Sequence, residues 1–466
     1  MPPTVAGALA NYAASLMGKV PVNLNYTLSS EALGSCIEQC NIRTVVTSKA
    51  FLEQIKLDVP VETILLEDVA KSIGVGSKLA AVLASALLPV GLLEKFLGSK
   101  RRASMDDLAT VIFSSGSTGA PKGVMLSHYN VVSNIQQIGQ AFALDRHDRI
   151  LGILPFFHSF GFTGTLWLPP LLGLGAVYHP NPVDGRGIGE LVCEHRATFL
   201  LATPTFLQIY MRACTPEQFG SVQFVLAGAE KLPARLAVAF EDRFGLRPME
   251  GYGTTETSPV VTINTRDFRS AGFRQVGAKR GSIGHPLPGM VARIVDPDTG
   301  VPVALGQAGL LLVKGPNVMQ GYLGQAEKTA EVLRDGWYTT GDIAAMDQDG
   351  FLAITDRLSR FSKIGGEMVP HIKVEEQLHE LGSLTDQTFA LTGVPDERKG
   401  ERLVVLYQNL DESAVQSIVE KLNGCDLPNI WKPRGDQFFK VEALPYLGTG
   451  KLDLKHVKTL ATELSP

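Results

Sequence analysis

Ten consecutive residues, Ser114-Ser-Gly-Ser-Thr-Gly-Ala-Pro-Lys-Gly123, gather hydroxyls, glycines and one lysine in a single loop. Glycines let backbone N–H groups turn toward an anion, and hydroxyls add donors, so this composition suits a phosphate. It is not the nucleotide P-loop, which needs Gly-Lys-[Ser/Thr], because Pro121 precedes Lys122 and Gly123 follows it. Two further stretches are dense in polar groups. In Gly251-Tyr-Gly-Thr-Thr-Glu-Thr-Ser-Pro259, Tyr252 offers a flat face to a base, Thr255 a donor to a phosphate oxygen, and Glu256 a hard oxygen ligand for Mg²⁺. In Trp337-Tyr-Thr-Thr-Gly-Asp-Ile343, Asp342 places a carboxylate among small and hydroxyl residues. Near the end, Leu447-Gly-Thr-Gly-Lys-Leu-Asp453 places Lys451 in a small-residue turn. Taken singly, each has a plain structural reading: a Gly/Ser-rich turn, a strand–turn–helix junction with threonine caps, or a solvated surface lysine.

The elements that must carry these stretches alternate between apolar runs and amphipathic helices. Residues 4–18, 29–40 and 130–142 read as helices, 21–26 as a strand and loop, and 44–47 as a strand. Val111-Ile-Phe113 ends a buried strand before the phosphate loop, and 149–154 is another strand, followed by helix–strand alternation from 187 to 226. A parallel sheet with helices on its faces follows from that order. From about residue 277 short β segments and turns dominate, and after 357 the chain returns to mixed α/β with helices at 371–380 and 411–422. The reading is an α/β fold with three units. Residues 1–276 form a nucleotide-binding core of helix-flanked sheets, 277–356 a β-rich subdomain of the same large domain, and 357–466 a small mobile α+β C-terminal domain.

With 466 residues, the chain is too long for one compact core. A net charge of −4, without any Lys/Arg stripe, argues against a nucleic-acid partner. The five scattered cysteines form no CxxC pair and read as reduced thiols in a cytoplasmic setting. Residues 79–93, LAAVLASALLPVGLL, are shorter than the roughly 18–20 apolar residues of a membrane span and are broken by Pro89. Lys78, Lys95, Lys100, Arg101 and Arg102 flank the run. It reads either as a buried helix or linker, or as a contact with the inner face of an anionic membrane.

The loop at 114–123 resembles the signature of the adenylate-forming superfamily, which contains acyl-CoA synthetases, luciferases and peptide-synthetase adenylation domains. Residues 251–259, 337–343 and 447–453 resemble its other motifs, in the same order. That resemblance implies ATP and Mg²⁺. Ser114, Ser115, Gly116, Ser117, Thr118, Gly119 and Lys122 would hold its phosphates, and Glu256 the metal. Tyr252, Gly253 and Thr255 would line the nucleotide, Gly228, Ala229 and Glu230 the adenine, and Asp342 with Arg357 the ribose. Asp356 stands before that arginine where the family usually has glycine. Lys451, with Glu256, Thr255 and Lys122, would carry the catalysis, and a positive charge between carboxylate and α-phosphate stabilises the transition state. His158, Phe162 and Thr203 would line the acyl pocket, His158 as a wall residue rather than a base.

Arg360-Phe-Ser-Lys-Ile-Gly-Gly-Glu-Met-Val369, Lys314-Gly-Pro-Asn-Val-Met-Gln-Gly-Tyr322 and Pro445-Tyr-Leu-Gly-Thr-Gly-Lys451 resemble the synthetase domain of bacterial acyl-[acyl-carrier-protein] synthetases, also known as 2-acylglycerophosphoethanolamine acyltransferases. The resemblance implies a fatty acid activated as acyl-AMP and passed to the phosphopantetheine of acyl carrier protein, with CoA as the alternative acceptor. In that branch more of the large domain, and often an acyltransferase domain, precedes the residues seen here. The expectation is therefore of an N-terminally truncated large domain. A rival of another class is an inactive module that holds nucleotide or acyl chains without turnover.

Overall fold

The computed structural model describes residues 1–56, 59–98, 103–114, 121–357, 360–364, 367–396, 399–446 and 452–465. A seven-stranded sheet forms its centre. Gly175–Tyr178, Arg149–Gly152, Phe199–Ala202, Phe224–Ala227 and Met249–Gly253 lie side by side and parallel, and Val260–Ile263 and His285–Pro286 add two antiparallel strands. Phe199–Ala202 and Phe224–Ala227 are buried at every position. They read as continuous apolar runs because helices cover both faces of a parallel sheet. Helix His128–Phe142 shows how those helices are built. Ser127 Oγ accepts from the Asn130 N–H at 3.1 Å, and Val131, Ile135, Ile138 and Phe142 turn one apolar stripe inward.

A hairpin of Leu108–Ser114 and Lys122–Ser127, extended by Gly321–Tyr322, packs on this layer. Val291–Val295, Gly309–Lys314, Trp337–Met346, Leu333–Arg334 and Leu352–Arg357 form a further antiparallel sheet. Its buried residues join those of the parallel sheet in one apolar core running from Ala8 to Leu352. The smaller C-terminal part holds separate cores, around Val374, Phe389 and Leu403 on one sheet face and around Val394, Val404 and Ala461 on the other. Its strands Phe361–Ile364, Glu367–Pro370, Phe389–Asp396, Gly400–Tyr407 and Phe438–Lys440 are flanked by helices His371–Leu381, Glu412–Asn423 and Leu454–Leu464.

Two local expectations are corrected. Residues 21–26 form no strand. Asn23 exchanges side-chain hydrogen bonds with Asn11 on helix Val5–Leu16, and Asn25 Oδ1 accepts from the Thr27 N–H, so side chains replace ladder bonds. The run at 79–93 is not a buried helix. It is split at Leu88-Pro89 into helices Val75–Leu87 and Val90–Phe96, and neither has a buried residue. All five cysteines are free, with Cys36 and Cys214 buried.

Candidate functional site

Four parallel strands end along one edge of the central sheet, and each leads into a stretch singled out by its residues. Gly152 leads to His158, Ala202 to Thr203, Ala227 to Gly228–Glu230, and Gly253 to Thr255 and Glu256. Open α/β sheets take ligands at this edge, because turns there can vary while the strands stay packed.

Tyr322 joins two of the candidate residues. Its Oη donates to Glu256 Oε1 at 2.9 Å, and Lys122 Nζ lies 5.3 Å from its ring centroid. Burial, and then the charge of Glu256, hold the Tyr322 phenol above its ordinary range, so it remains a donor. Tyr338 is shifted far upward by burial first and by the same carboxylate second. Lys122 stands opposite Ser114 in the hairpin, so the loop between them begins and ends at one point. Ser115, Gly116, Ser117, Thr118 and Gly119 lie outside the described residues, as does Lys451.

A second joint lies at Asp342, which is 4% exposed. Tyr252 Oη donates to its Oδ2 at 2.5 Å, and its own N–H donates to Thr340 Oγ1 at 3.1 Å. Arg357 is its cross-strand partner, although the Arg357 side chain lies outside the described atoms. Residues ninety positions apart in sequence are thus brought into one hydrogen bond.

The turn that carries Glu256 is held by a buried polar frame. Asn317 is fully buried and donates from Nδ2 to the carbonyls of Thr257 at 2.6 Å and Val260 at 2.9 Å. Asn134 brackets Val260, accepting from its N–H and donating to its carbonyl. A Cβ at Gly253 would lie 1.8 Å from the Pro259 carbonyl oxygen, so the close approach of the two turn ends requires glycine there. Thr255 Oγ1 lies 3.4 Å from Ser159 Oγ, which links this turn to the His158–Phe162 segment. Sequence reasoning left out Tyr322, Asn317 and Tyr338. Asn317 and Tyr322 lie in a stretch read only as a branch marker and Tyr338 in the Asp342 motif, and the partners of all three are set by the fold.

The remaining candidates sit around this centre. Ala229 adopts φ 68 at the turn, and Gly228 faces Phe160, whose ring a Cβ would approach to 3.2 Å. Glu230 accepts from Thr205 Oγ1 at 2.9 Å. His158 caps the short helix Ser159–Gly161, its Nδ1 accepting from the Phe160 N–H at 3.3 Å. Thr203 caps helix Pro204–Ala213, and Phe162 is fully buried beside Trp167. Phe160, Gly164, Leu201, Leu226, Pro259 and Val260 line an apolar cavity behind the edge, and none of His158, Phe162 or Thr203 is among the lining residues. Among the described residues no three His, Cys, Asp or Glu side chains cluster as a metal cage. A lone carboxylate such as Glu256 fits Mg²⁺ held mostly by substrate phosphates and water.

The C-terminal part docks beside Gly228–Glu230. Lys231 pairs with Glu376, Arg212 with Asp386 at 2.8 Å, and Gln208 Nε2 donates to the Thr385 carbonyl at 2.7 Å. Tyr446 and Leu452 form an antiparallel bridge on either side of residues 447–451, which lie outside the described residues. Burial, and then the charge of Glu230, raise the Tyr446 phenol above its ordinary range.

The chain is similar to known proteins. The family described as AMP-binding enzyme matches residues 1–323. Feruloyl-CoA synthase of an Amycolatopsis species is 37% identical over 301 residues, covering 64% of this chain and 58% of that protein. Long-chain-fatty-acid–CoA ligase of Bacillus subtilis strain 168 is 36% identical over 303 residues, covering 63% of this chain and 51% of that protein. The chain therefore spans little more than half the length of these curated relatives. ATP-bound MatB from Rhodopseudomonas palustris superposes with a TM-score of 0.81 at 26% identity, over 99% of this chain and 88% of that one. Its apo form, at 25% identity, superposes over 100% and 88% with a TM-score of 0.70.

Proposed function

The chain belongs to the AMP-binding enzyme family, and on that premise we propose that it activates a fatty acid with ATP and passes the acyl group to a thiol. In the first half-reaction a carboxylate oxygen attacks the α-phosphorus of ATP. The bond from that phosphorus to the β-phosphate oxygen breaks, and pyrophosphate leaves behind acyl-AMP. In the second, a thiol sulfur attacks the acyl carbonyl, its proton goes to solvent, and AMP departs. A mixed anhydride is a good acyl donor, so no enzyme nucleophile is needed; the chain must position, and exclude water.

The observation that carries this reading is the pair of joints, Tyr252 to Asp342 and Lys122 to Tyr322 to Glu256, at one sheet edge. Lys122 and the 114–119 loop grip the β- and γ-phosphates. Glu256, held by Tyr322, is the ligand for Mg²⁺, which when bound neutralises phosphate charge. Asp342 and Arg357 take the ribose, and Tyr252, its hydroxyl committed to Asp342, presents a fixed ring to the base. Gly228, Ala229 and Glu230 border the adenine, and Thr255 donates to the α-phosphate. Lys451 bridges the carboxylate and the α-phosphate from the C-terminal domain, which we divide from the large domain at 356/357. The 277–356 unit serves as the β-rich subdomain of that large domain. His158, Phe162 and Thr203, on the segments that follow Gly152 and Ala202, line the acyl pocket, His158 as a wall residue rather than a base.

Two acceptors are supported. The 360–369 and 445–451 stretches favour holo-acyl carrier protein, and the names of the relatives favour CoA. The cytoplasm, where ATP and both thiols are found, is the proposed place of action. The reading is tested by supplying holo-acyl carrier protein or CoA with fatty acids of graded length and following AMP release. Thiol-dependent AMP release with a long-chain acid supports it. Release with aryl acids alone would move the substrate class to that of feruloyl-CoA synthase.

A further inference from the structure

Helices Val75–Leu87 and Val90–Phe96 expose apolar side chains along their whole length. Leu79 is 61% exposed, Val82 63%, Leu87 75%, Val90 70% and Phe96 74%. In the first helix, Val75, Leu79, Val82, Leu83 and Leu87 repeat at the spacing of one face. An isolated helix of this length is marginal in water, and a contiguous exposed apolar surface marks an interaction site. Among the described residues no single helix is long and apolar enough to cross a membrane. Leu66–Ser72 and Val75–Leu87 meet at 89°, so they make an elbow.

Charge selects the occupant. From 75 to 102 the chain carries Lys78, Lys95, Lys100, Arg101 and Arg102 against the single acid Glu94, within a chain whose net charge is −4. A two-fold pairing with a second copy would set this basic group against itself. An anionic bilayer surface instead accepts the apolar face and attracts the lysines. We propose that helices Val75–Leu87 and Val90–Phe96 are a membrane-surface anchor that lays its apolar face into the headgroup boundary of anionic phospholipid. This goes beyond the ligase reading and does not depend on it.

The test uses the full chain and vesicles of phosphatidylcholine with or without phosphatidylglycerol. Co-sedimentation should require phosphatidylglycerol and weaken at high salt. The triple variant Leu79→Ser/Leu83→Ser/Leu87→Ser should lose about tenfold or more of the bound fraction, and Lys78→Glu/Lys95→Glu severalfold. Unchanged melting temperatures would show that both variants still fold. In a Leu83→Trp variant, brominated phospholipid should quench added fluorescence, a readout independent of the triple variant. Vesicle binding that survives the triple variant, absence of binding, or a dimer dissolved by the same substitutions without vesicle binding would each overturn the proposal.

Discussion

Tyr322 shows how one side chain can organise two others. Its hydroxyl donates to a carboxylate, a hydrogen bond that contributes about 1.5–3 kcal/mol, while its ring faces Lys122. Tyr322→Phe keeps the ring and removes the donor, so ATP–pyrophosphate exchange should fall about tenfold and the Mg²⁺ needed for half-maximal rate should rise. An unchanged Mg²⁺ dependence would separate Tyr322 from the metal ligand. Asp342→Ala removes the acceptor of Tyr252 and the proposed ribose ligand together, and should raise the KM for ATP by about a hundredfold. Lys451→Ala should slow adenylation by about 10²–10³ while thiol capture from supplied acyl-AMP changes much less. Equal losses in both halves would contradict its role. Glu256 and Asp342 could be picked from sequence because each sits in a compact polar motif. Tyr322 and Asn317 could not, since their partners lie 66 and 60 positions away and only the folded sheet edge brings them together.

At the scale of elements, the ends of four parallel strands do most of the positioning, and the docked helices of the C-terminal part complete it. Lys231 and Glu376 are both partly exposed, so their pairing contributes more to orientation than to stability. Lys231→Glu should lower ATP–pyrophosphate exchange, and Lys231→Glu/Glu376→Lys should restore much of it; a double variant no better than the single would show that the pair does not hold the docked arrangement. His371 opens helix His371–Leu381 and shares a 2.8 Å hydrogen bond with Ser362. Burial, and then the positive charges of Arg360 and Lys458, lower its pKa from 6.5 to about 3. The folded domain keeps it neutral where the unfolded chain already binds a proton. The stability owed to that neutral state is complete above pH 6.5 and is lost as pH falls toward 3, by up to about tenfold in the unfolding constant per pH unit. His371→Gln should flatten this part of the melting-temperature profile, and an identical profile would remove His371 as its cause. Most helices and the parallel strands were legible from apolar periodicity. The 79–93 run was not, because an apolar stripe looks the same whether it faces a core or a lipid surface. The 21–26 segment failed for a different reason, the side-chain pairing of Asn11 with Asn23.

On the scale of the whole molecule, a large α/β part with one continuous core carries a smaller part with its own cores. Both the α/β class and the two-part build were legible in the order of motifs, whereas the contacts between the parts come from side chains with no motif of their own, such as Gln208, Arg212 and Lys231. The central claim is that the strand edge of the central sheet makes acyl-AMP. It is tested most directly by incorporation of labelled pyrophosphate into ATP by the full chain, with and without a long-chain fatty acid. The account predicts incorporation that requires both the acid and Mg²⁺. A folded chain that binds ATP yet incorporates no label with any acid would contradict it, and would leave a module that holds nucleotide without turnover.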